Sequence, residues 1–328
     1  MKSKASLKSI AAYVPQRILS NADLEKMVDT TDEWITKRTG IKERRLAEPS
    51  QSTSELGLNA ARLAIKRANI DTKDIDAVIA ASLSPDYFTM PSTASQIATN
   101  LGLKNITAFD VSAACAGFIY LLQVAKALVE SGAKKNVLIV GAERTSSVMD
   151  YTDRSICILF GDGAGAGIVS ADENNPIIDV HTGSNGEFAE LLKIERAQKA
   201  SVCAPLIMQM KGNEVFKVAV QTLQNSVLEI LAKNGISADE IDLFIPHQAN
   251  LRIIKSVQER LNLPDSKCVL TIHKYGNTSS ASIPMAMNDA YESKRLKKGD
   301  LLLLDAFGGG FVWGSALLKF GGENFKTF

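Results

Sequence analysis

Asn69 to Ala81 reads NIDTKDIDAVIAA, and Gly235 to His247 reads GISADEIDLFIPH. Laid over one another at an offset of 166, the two stretches match Ile70 with Ile236, Ile75 with Ile241, Asp76 with Asp242 and Ile79 with Ile245. Each follows a long helical pattern. Before the first copy, Ser52 and Glu55 have capping-box spacing, and Leu56, Ala60, Leu63, Ala64 and Ala68 recur at the helical period. A second pair lies downstream at an offset near 164: KKNVLIVGA (134–142) resembles KKGDLLLLDA (297–306). Each of those copies is an apolar strand running toward glycines. Two matches in the same order at nearly one offset indicate a duplicated α/β unit whose apolar strands are buried on both faces. The halves are placed at 1–171 and 172–328, with SADENNPIIDVHTGSNGEF (170–188) as the polar connection between them. In such a duplication, equivalent helix N-termini meet at the pseudo-dyad, and a site can form where they converge.

The composition fits a folded globular chain, with 45% hydrophobic and 22% charged residues over 328 positions. A net charge of +1 provides no overall field toward nucleic acid or an anionic membrane. No apolar run approaches the ~18 residues that read as a membrane span, and MKSKASLKSIAAYVPQ lacks the apolar core of a signal peptide. The cysteines, Cys115, Cys157, Cys203 and Cys268, are far apart and form no C-x-x-C pair. That spacing argues against a zinc site and against a disulfide framework. The expectation is a cytoplasmic protein with free thiols.

One of those thiols stands out. In FDVSAACAGFIY (109–120), Cys115 sits between a strand-like and a helix-like stretch, flanked by Ala113, Ala114, Ala116 and Gly117. The amide groups of a helix N-terminus carry partial positive charge. That position is expected to lower the thiol pKa and make Cys115 nucleophilic; a buried structural cysteine is the alternative. Of three histidines, His247 closes the second repeat strand in LFIPHQANLRII, at a helix start, where α/β sites form. His181 falls in the polar connection and His273 in a turn. Asn277 occupies the turn of the second half that is equivalent to the cysteine turn; its amide donates and accepts hydrogen bonds without titrating. The three glycines of FGGGFVWG (307–314) allow close backbone approach, either for an oxyanion hole or for packing.

Together DVSAACAGF, PHQANLRI, HKYGNTSSAS and FGGGFVWGSAL resemble the β-ketoacyl-acyl-carrier-protein synthase III family of bacterial type II fatty-acid synthesis. TDEWITKRTGIKERR (31–45) and FGDGAGAGIV (160–169) extend the resemblance over essentially the whole chain. It implies the thiolase fold, two duplicated halves in an αβαβα five-layer architecture, and a homodimer. The implied reaction is a decarboxylative condensation of an acyl-CoA primer, acetyl-CoA first, with malonyl-acyl carrier protein. Neither metal nor resident cofactor is implied, since coenzyme A and the phosphopantetheine carrier are substrates.

Residue by residue, the resemblance makes Cys115 the nucleophile of a Cys115–His247–Asn277 triad, with the amides of Cys115 and Gly309 as the oxyanion hole. Trp34, Arg38 and Arg154 match positions that hold the coenzyme A nucleotide. Asn213, Phe216, Ala249 and Asn250 match the pantetheine channel, and Gln248, Ala249, Asn250, Leu251 and Arg252 the carrier-protein contact. Lys217 and Lys255 are weaker candidates for that contact. Met90 and Phe307 are assigned to the acyl pocket, Met90 reaching that of the partner subunit. The segment 181–205 matches poorly and has no assignment beyond a place near the entrance. The sequence leaves room for a related acyltransferase or condensing enzyme of secondary metabolism, which would keep the same triad and differ in its acyl-CoA.

Overall fold

The computed structural model describes residues 4–194 and 206–325. From the N-terminus the chain forms β1 (Ala5–Tyr13), β2 (Arg17–Ser20), α1 (Asn21–Leu24), α2 (Asp32–Thr39), β3 (Glu43–Leu46), α3 (Thr53–Ala68) and β4 (Ala77–Ala81). It continues through α4 (Thr93–Asn100), β5 (Thr107–Val111), α5 (Gly117–Glu130), β6 (Asn136–Glu143), α6 (Arg154–Cys157) and β7 (Gly163–Ala171). After these come β8 (Ile177–Ser184), β9 (Leu192–Ile194), β10 (Met208–Met210), α7 (Gly212–Asn234), β11 (Leu243–Pro246) and α8 (Leu251–Arg260). The last elements are α9 (Ile272–Tyr275), α10 (Ser282–Glu292), β12 (Leu301–Gly308) and β13 (Val312–Lys319).

The repeat has a physical content. It begins where a helix must stop: Asn69 ends α3 with φ 53°, and Gly235 ends α7 with φ 63°. Only residues that tolerate the left-handed region close a helix this way. Three residues later each copy makes a 3-10 turn, over Thr72–Asp74 and over Ala238–Glu240. The matched aspartates then start the strands. Asp76 N–H donates to the carbonyl of Asn136, and its carboxylate accepts from the amides of Lys135 and Asn136. Asp242 N–H donates to the carbonyl of Leu301, and its carboxylate accepts from the Leu301 amide. Each aspartate thus clamps a repeat strand to its neighbour, and the parallel registers agree: Ala77 faces Val137 and Leu243 faces Leu302.

Two large sheets result. The first has the order β1-β7-β6-β4-β5, the second β11-β12-β13-β8. In the second, the counterpart of β5 shrinks to one bridge between Phe244 and Cys268. Side chains from α5 and α10 fill the space between the sheets, with Phe118, Leu121, Leu122, Met287 and Tyr291 in one core alongside strand residues of both. Outside the first sheet lie α3 and α4, contributing Leu56, Ala60, Ala64 and Ile97; outside the second lie α7 and α8, contributing Leu223, Val227, Ile254 and Val257. The order is helices, sheet, helices, sheet, helices: five layers.

Two features differ from expectation. The 170–188 connection contains a strand, β8, antiparallel to β13 as β1 is to β7. Its polar side chains conceal it, because as an edge strand it is only partly covered along its length. The unassigned 181–205 region is partly structural: β9 pairs with β10 and, as shown below, forms cavity wall. Residues 195–205, including Cys203, lie outside the described residues.

Candidate active site

The two halves present equivalent turns to one another. Ala114 has φ 42° and Ser279 has φ 47°, both left-handed and both non-glycine. Each opens a 3-10 turn, Ala114–Ala116 before α5 and Ser279–Ala281 before α10. Side chains held in this sparsely populated region are found where surrounding structure enforces them, often at functional sites. Cys115 lies in the first turn, 6% exposed. Asn277 lies just ahead of the second, its Oδ1 accepting from the Ser279 amide at 2.8 Å. The Asn277 backbone is fixed by its amide donating to the Leu159 carbonyl and by the Gly161 amide donating to its own carbonyl.

His247 follows β11, where its amide donates to the carbonyl of Asp305 on β12. Its Nδ1 lies 2.5 Å from Ser282 Oγ, at the first residue of α10. Cys115, His247 and Asn277 are therefore gathered around the N-terminal ends of α5 and α10, with Ser279 beside the Cys115 sulfur. Burial pushes the His247 imidazole down to about 3, so the ring is neutral at physiological pH.

The Cys115 thiol corrects the sequence expectation. Burial pushes it up to about 12, opposed by the Ser279 hydroxyl and reinforced by the charge of Glu143. Desolvation of the thiolate is the larger effect here. Glu143 itself was not singled out from the sequence. It ends β6, fully buried, with its carboxyl pushed up by burial. It accepts from Ser82 Oγ, the Leu83 amide and Ser84 Oγ on one side, and from the Ser280 amide and hydroxyl on the other. It thereby ties the loop after β4 to the Asn277 turn.

A cavity of about 790 Å³ opens at Cys115. Its wall includes Gly309, Leu83, Val111, Phe160, Leu192 and Met208. Gly308, just before Gly309, approaches the nucleophile: a Cβ there would lie 2.6 Å from the Cys115 amide nitrogen. Gly308 is thus required by close approach to the cysteine turn, whereas a Cβ at Gly309 would meet Leu192 and Gly310 has φ 144°. Phe307, assigned to the acyl pocket, is instead buried in the outer core, its ring 4.6 Å from that of Phe311 and outside the cavity wall. Met90 is 81% exposed and is also absent from this chain's cavity wall.

The other candidates form a strip. The guanidinium carbons of Arg38 and Arg154 lie 4.9 and 5.3 Å from the Trp34 ring centre, which is cation–π range. Arg154 also donates to the Asp29 carbonyl. Asn250 Nδ2 donates to the Arg38 carbonyl while its Oδ1 caps α8 at the Arg252 amide. Arg252 lies over Phe216 at 4.8 Å, one turn along α7 from exposed Asn213. Ala249 is half-buried, and Leu251 packs against Gly40. Lys255 is held by Asp265 at 2.6 Å, and Lys217 is exposed.

Gln248 is a second correction. At 1% exposure, its Nε2 donates to the carbonyls of Pro246 and Val269, and its Oε1 accepts from the amides of Thr271 and Ile272. A side chain saturated by backbone has nothing to offer a docking protein; Gln248 pins the loop that presents His247. His181 faces Glu229 at 3.5 Å, and His273 lies on α9; neither belongs to the site.

Comparison with known proteins gives one consistent answer. Residues 109–186 match the family model described as 3-oxoacyl-[acyl-carrier-protein (ACP)] synthase III, and residues 231–320 that of its C-terminal part. The chain is 76% identical over 322 residues to a protein named beta-ketoacyl-[acyl-carrier-protein] synthase III from Campylobacter jejuni, covering 98% of this chain and 99% of that one. The crystal structure of 3-oxoacyl-[acyl-carrier-protein] synthase III from Aquifex aeolicus superposes with a TM-score of 0.91 at 44% identity, covering 96% of this chain and 100% of that one. The priming beta-ketosynthase of the R1128 polyketide pathway superposes with a TM-score of 0.91 at 35% identity, covering 97% of each chain.

Proposed function

For a chain that belongs to the 3-oxoacyl-[acyl-carrier-protein] synthase III family, we propose that Cys115, His247 and Asn277 divide the two halves of its reaction between them. The protein is an acyltransferase, the initiating condensing enzyme of fatty-acid synthesis. It joins an acyl-CoA primer to malonyl-acyl carrier protein and releases coenzyme A and carbon dioxide. In the first half-reaction, Cys115 Sγ attacks the primer thioester and the C–S bond to coenzyme A breaks. The thiol proton leaves during attack and ends on the coenzyme A sulfur, since a thiol raised to about 12 holds little standing thiolate at neutral pH. The Cys115 and Gly309 amides receive the oxyanion; loss of one such donor costs about 2.7–4 kcal/mol of barrier. In the second, the malonyl thioester loses carbon dioxide, and His247 with Asn277 holds the enolate oxygen. The carbanion attacks the acyl-Cys115 carbonyl.

Acetyl-CoA is the primer proposed. Trp34, Arg38 and Arg154 hold its nucleotide, Asn213, Phe216, Ala249 and Asn250 flank the pantetheine arm, and Arg252 meets the acidic carrier. Coenzyme A and the carrier's phosphopantetheine are substrates, with no resident cofactor. The active form is a homodimer in the cytoplasm. In support of the dimer, β5 is an edge strand bearing Phe109 at 37% exposure, and Tyr87, Phe88 and Met90 are all at least half exposed nearby in sequence.

The observation that carries this reading is the convergence of the Cys115 and Asn277 turns, related by the internal repeat, beside a cavity that opens at Cys115. Intact-protein mass spectrometry tests it. Acetyl-CoA should add one acetyl mass to the wild type and none to Cys115→Ala, and malonyl carrier protein should discharge it as acetoacetyl carrier protein. An equal adduct on Cys115→Ala would remove Cys115 as nucleophile. An adduct with longer primers but not acetyl would keep the mechanism and move the substrate toward that of the polyketide priming synthase.

A further inference from the structure

His247 has two nitrogens and, being neutral, one proton; which nitrogen holds it decides whether the ring can serve an enolate. The Nδ1 side of the ring faces a single hydroxyl. Ser282 Oγ lies 2.5 Å from Nδ1, with His247 5% and Ser282 2% exposed. That oxygen is already an acceptor: the Gln248 amide donates to it at 3.4 Å. Its own proton has no other acceptor among the described residues, so Nδ1 is the one place for it. Were the ring proton on Nδ1 instead, the Ser282 hydroxyl would be a buried donor without a partner, which folded proteins avoid. The amide of Gln248 is in turn held in place, because the Gln248 side chain is saturated by four backbone groups.

From this geometry we infer that Ser282 is a positioning residue that keeps the His247 proton on Nε2, the form needed for condensation. The inference rests on the triad reading above and concerns its second half. There, the bond between the malonyl α-carbon and its carboxylate breaks, carbon dioxide leaves, and the electron pair becomes an enolate whose oxygen accepts from Nε2–H. The pair next forms the new carbon–carbon bond at the acyl carbonyl. The Cys115 C–S bond breaks, and the thiolate takes a proton from solvent. With the ring proton on Nδ1, Nε2 would present a lone pair to the enolate and repel it. A hydroxyl behind the ring permits Nε2–H. A carboxylate there would accept from Nδ1–H and lock the other tautomer. The location at the start of α10 works the same way, since the positive end of a helix disfavours an imidazolium.

Two measurements test the inference. With only three histidines in the chain, ¹⁵N-histidine NMR of the wild type and of His247→Gln assigns the His247 ring. A proton on Nε2 is expected; a proton on Nδ1 would overturn the inference whatever the variants do. The second measurement follows the two half-reactions separately in Ser282→Ala. Quenched mass spectrometry reads acetyl transfer to Cys115, and carbon dioxide release reads decarboxylation of malonyl carrier protein by the acetyl-enzyme. Acetyl transfer should change by less than about threefold, while decarboxylation falls on the order of 10²-fold, the scale of one lost transition-state donor. Equal slowing of both steps, or of neither, would overturn the role. If the wild type itself takes no acyl group on Cys115 from acetyl-CoA or from longer primers, the triad reading fails, an outcome distinct from any result at Ser282.

Discussion

A thiol at the amino end of a helix gains from the partial positive charge there, and a thiol removed from water loses. Both act on Cys115, and burial dominates, raising it to about 12. The sign of the consequence follows. Thiolate is the reactive form, so a raised pKa leaves little of it at neutral pH, and its share grows as pH rises. Peptide-resolved iodoacetamide labelling of the resting enzyme should therefore speed up continuously from pH 7 to pH 10 at Cys115. A plateau reached by pH 8 would show that the α5 N-terminus outweighs burial. Such a thiol is quiet toward adventitious electrophiles and reacts when a thioester is placed against it with the oxyanion donors in position.

At the level of elements, the site depends on how closely strand and turn can approach. The β12 terminus reaches the cysteine turn at Gly308, where a Cβ would sit 2.6 Å from the Cys115 nitrogen and 3.1 Å from Ala114 Cβ. Gly308→Ala should push that amide out of line. Acetyl transfer is expected to fall on the order of 10²-fold, with a stability loss of about 1–3 kcal/mol from overpacking. Gly186→Ala is the control, since nothing lies within 4 Å of its position. Wild-type acetylation by Gly308→Ala would show that the close approach serves packing alone. The repeat elements were legible in the sequence because their signals are local: a left-handed stop at Asn69 and Gly235, then Asp76 and Asp242, then an apolar strand. Strand β8 was not, because an edge strand covered on part of its surface carries too few apolar residues to stand out.

For the whole molecule, five layers bury both sheets except at their edges. One such edge is β5, with Phe109 at 37% exposure. Light scattering behind size exclusion should give twice 35.4 kDa for the wild type. Phe109→Asp should shift the mass toward one chain, by placing a charge where a second β5 would pair. A wild type that elutes at the single-chain mass at micromolar concentration would end the homodimer proposal. No described helix is long and apolar enough to cross a membrane.

The sequence by itself determined the duplication, the strand–turn–helix setting of Cys115, and the pairing of that turn with the one at Asn277. Each is written in contiguous residues, as periodicity, caps and small-residue turns. Only the tertiary structure decided the state of the thiol, the staple role of Gln248, the burial of Phe307 in the outer core, and the convergence of Glu143 and Ser282 on the two turns. These depend on what residues distant in sequence leave between them. Burial, and the partner that a buried polar group finds, belong to the assembled layers and are carried by no single segment.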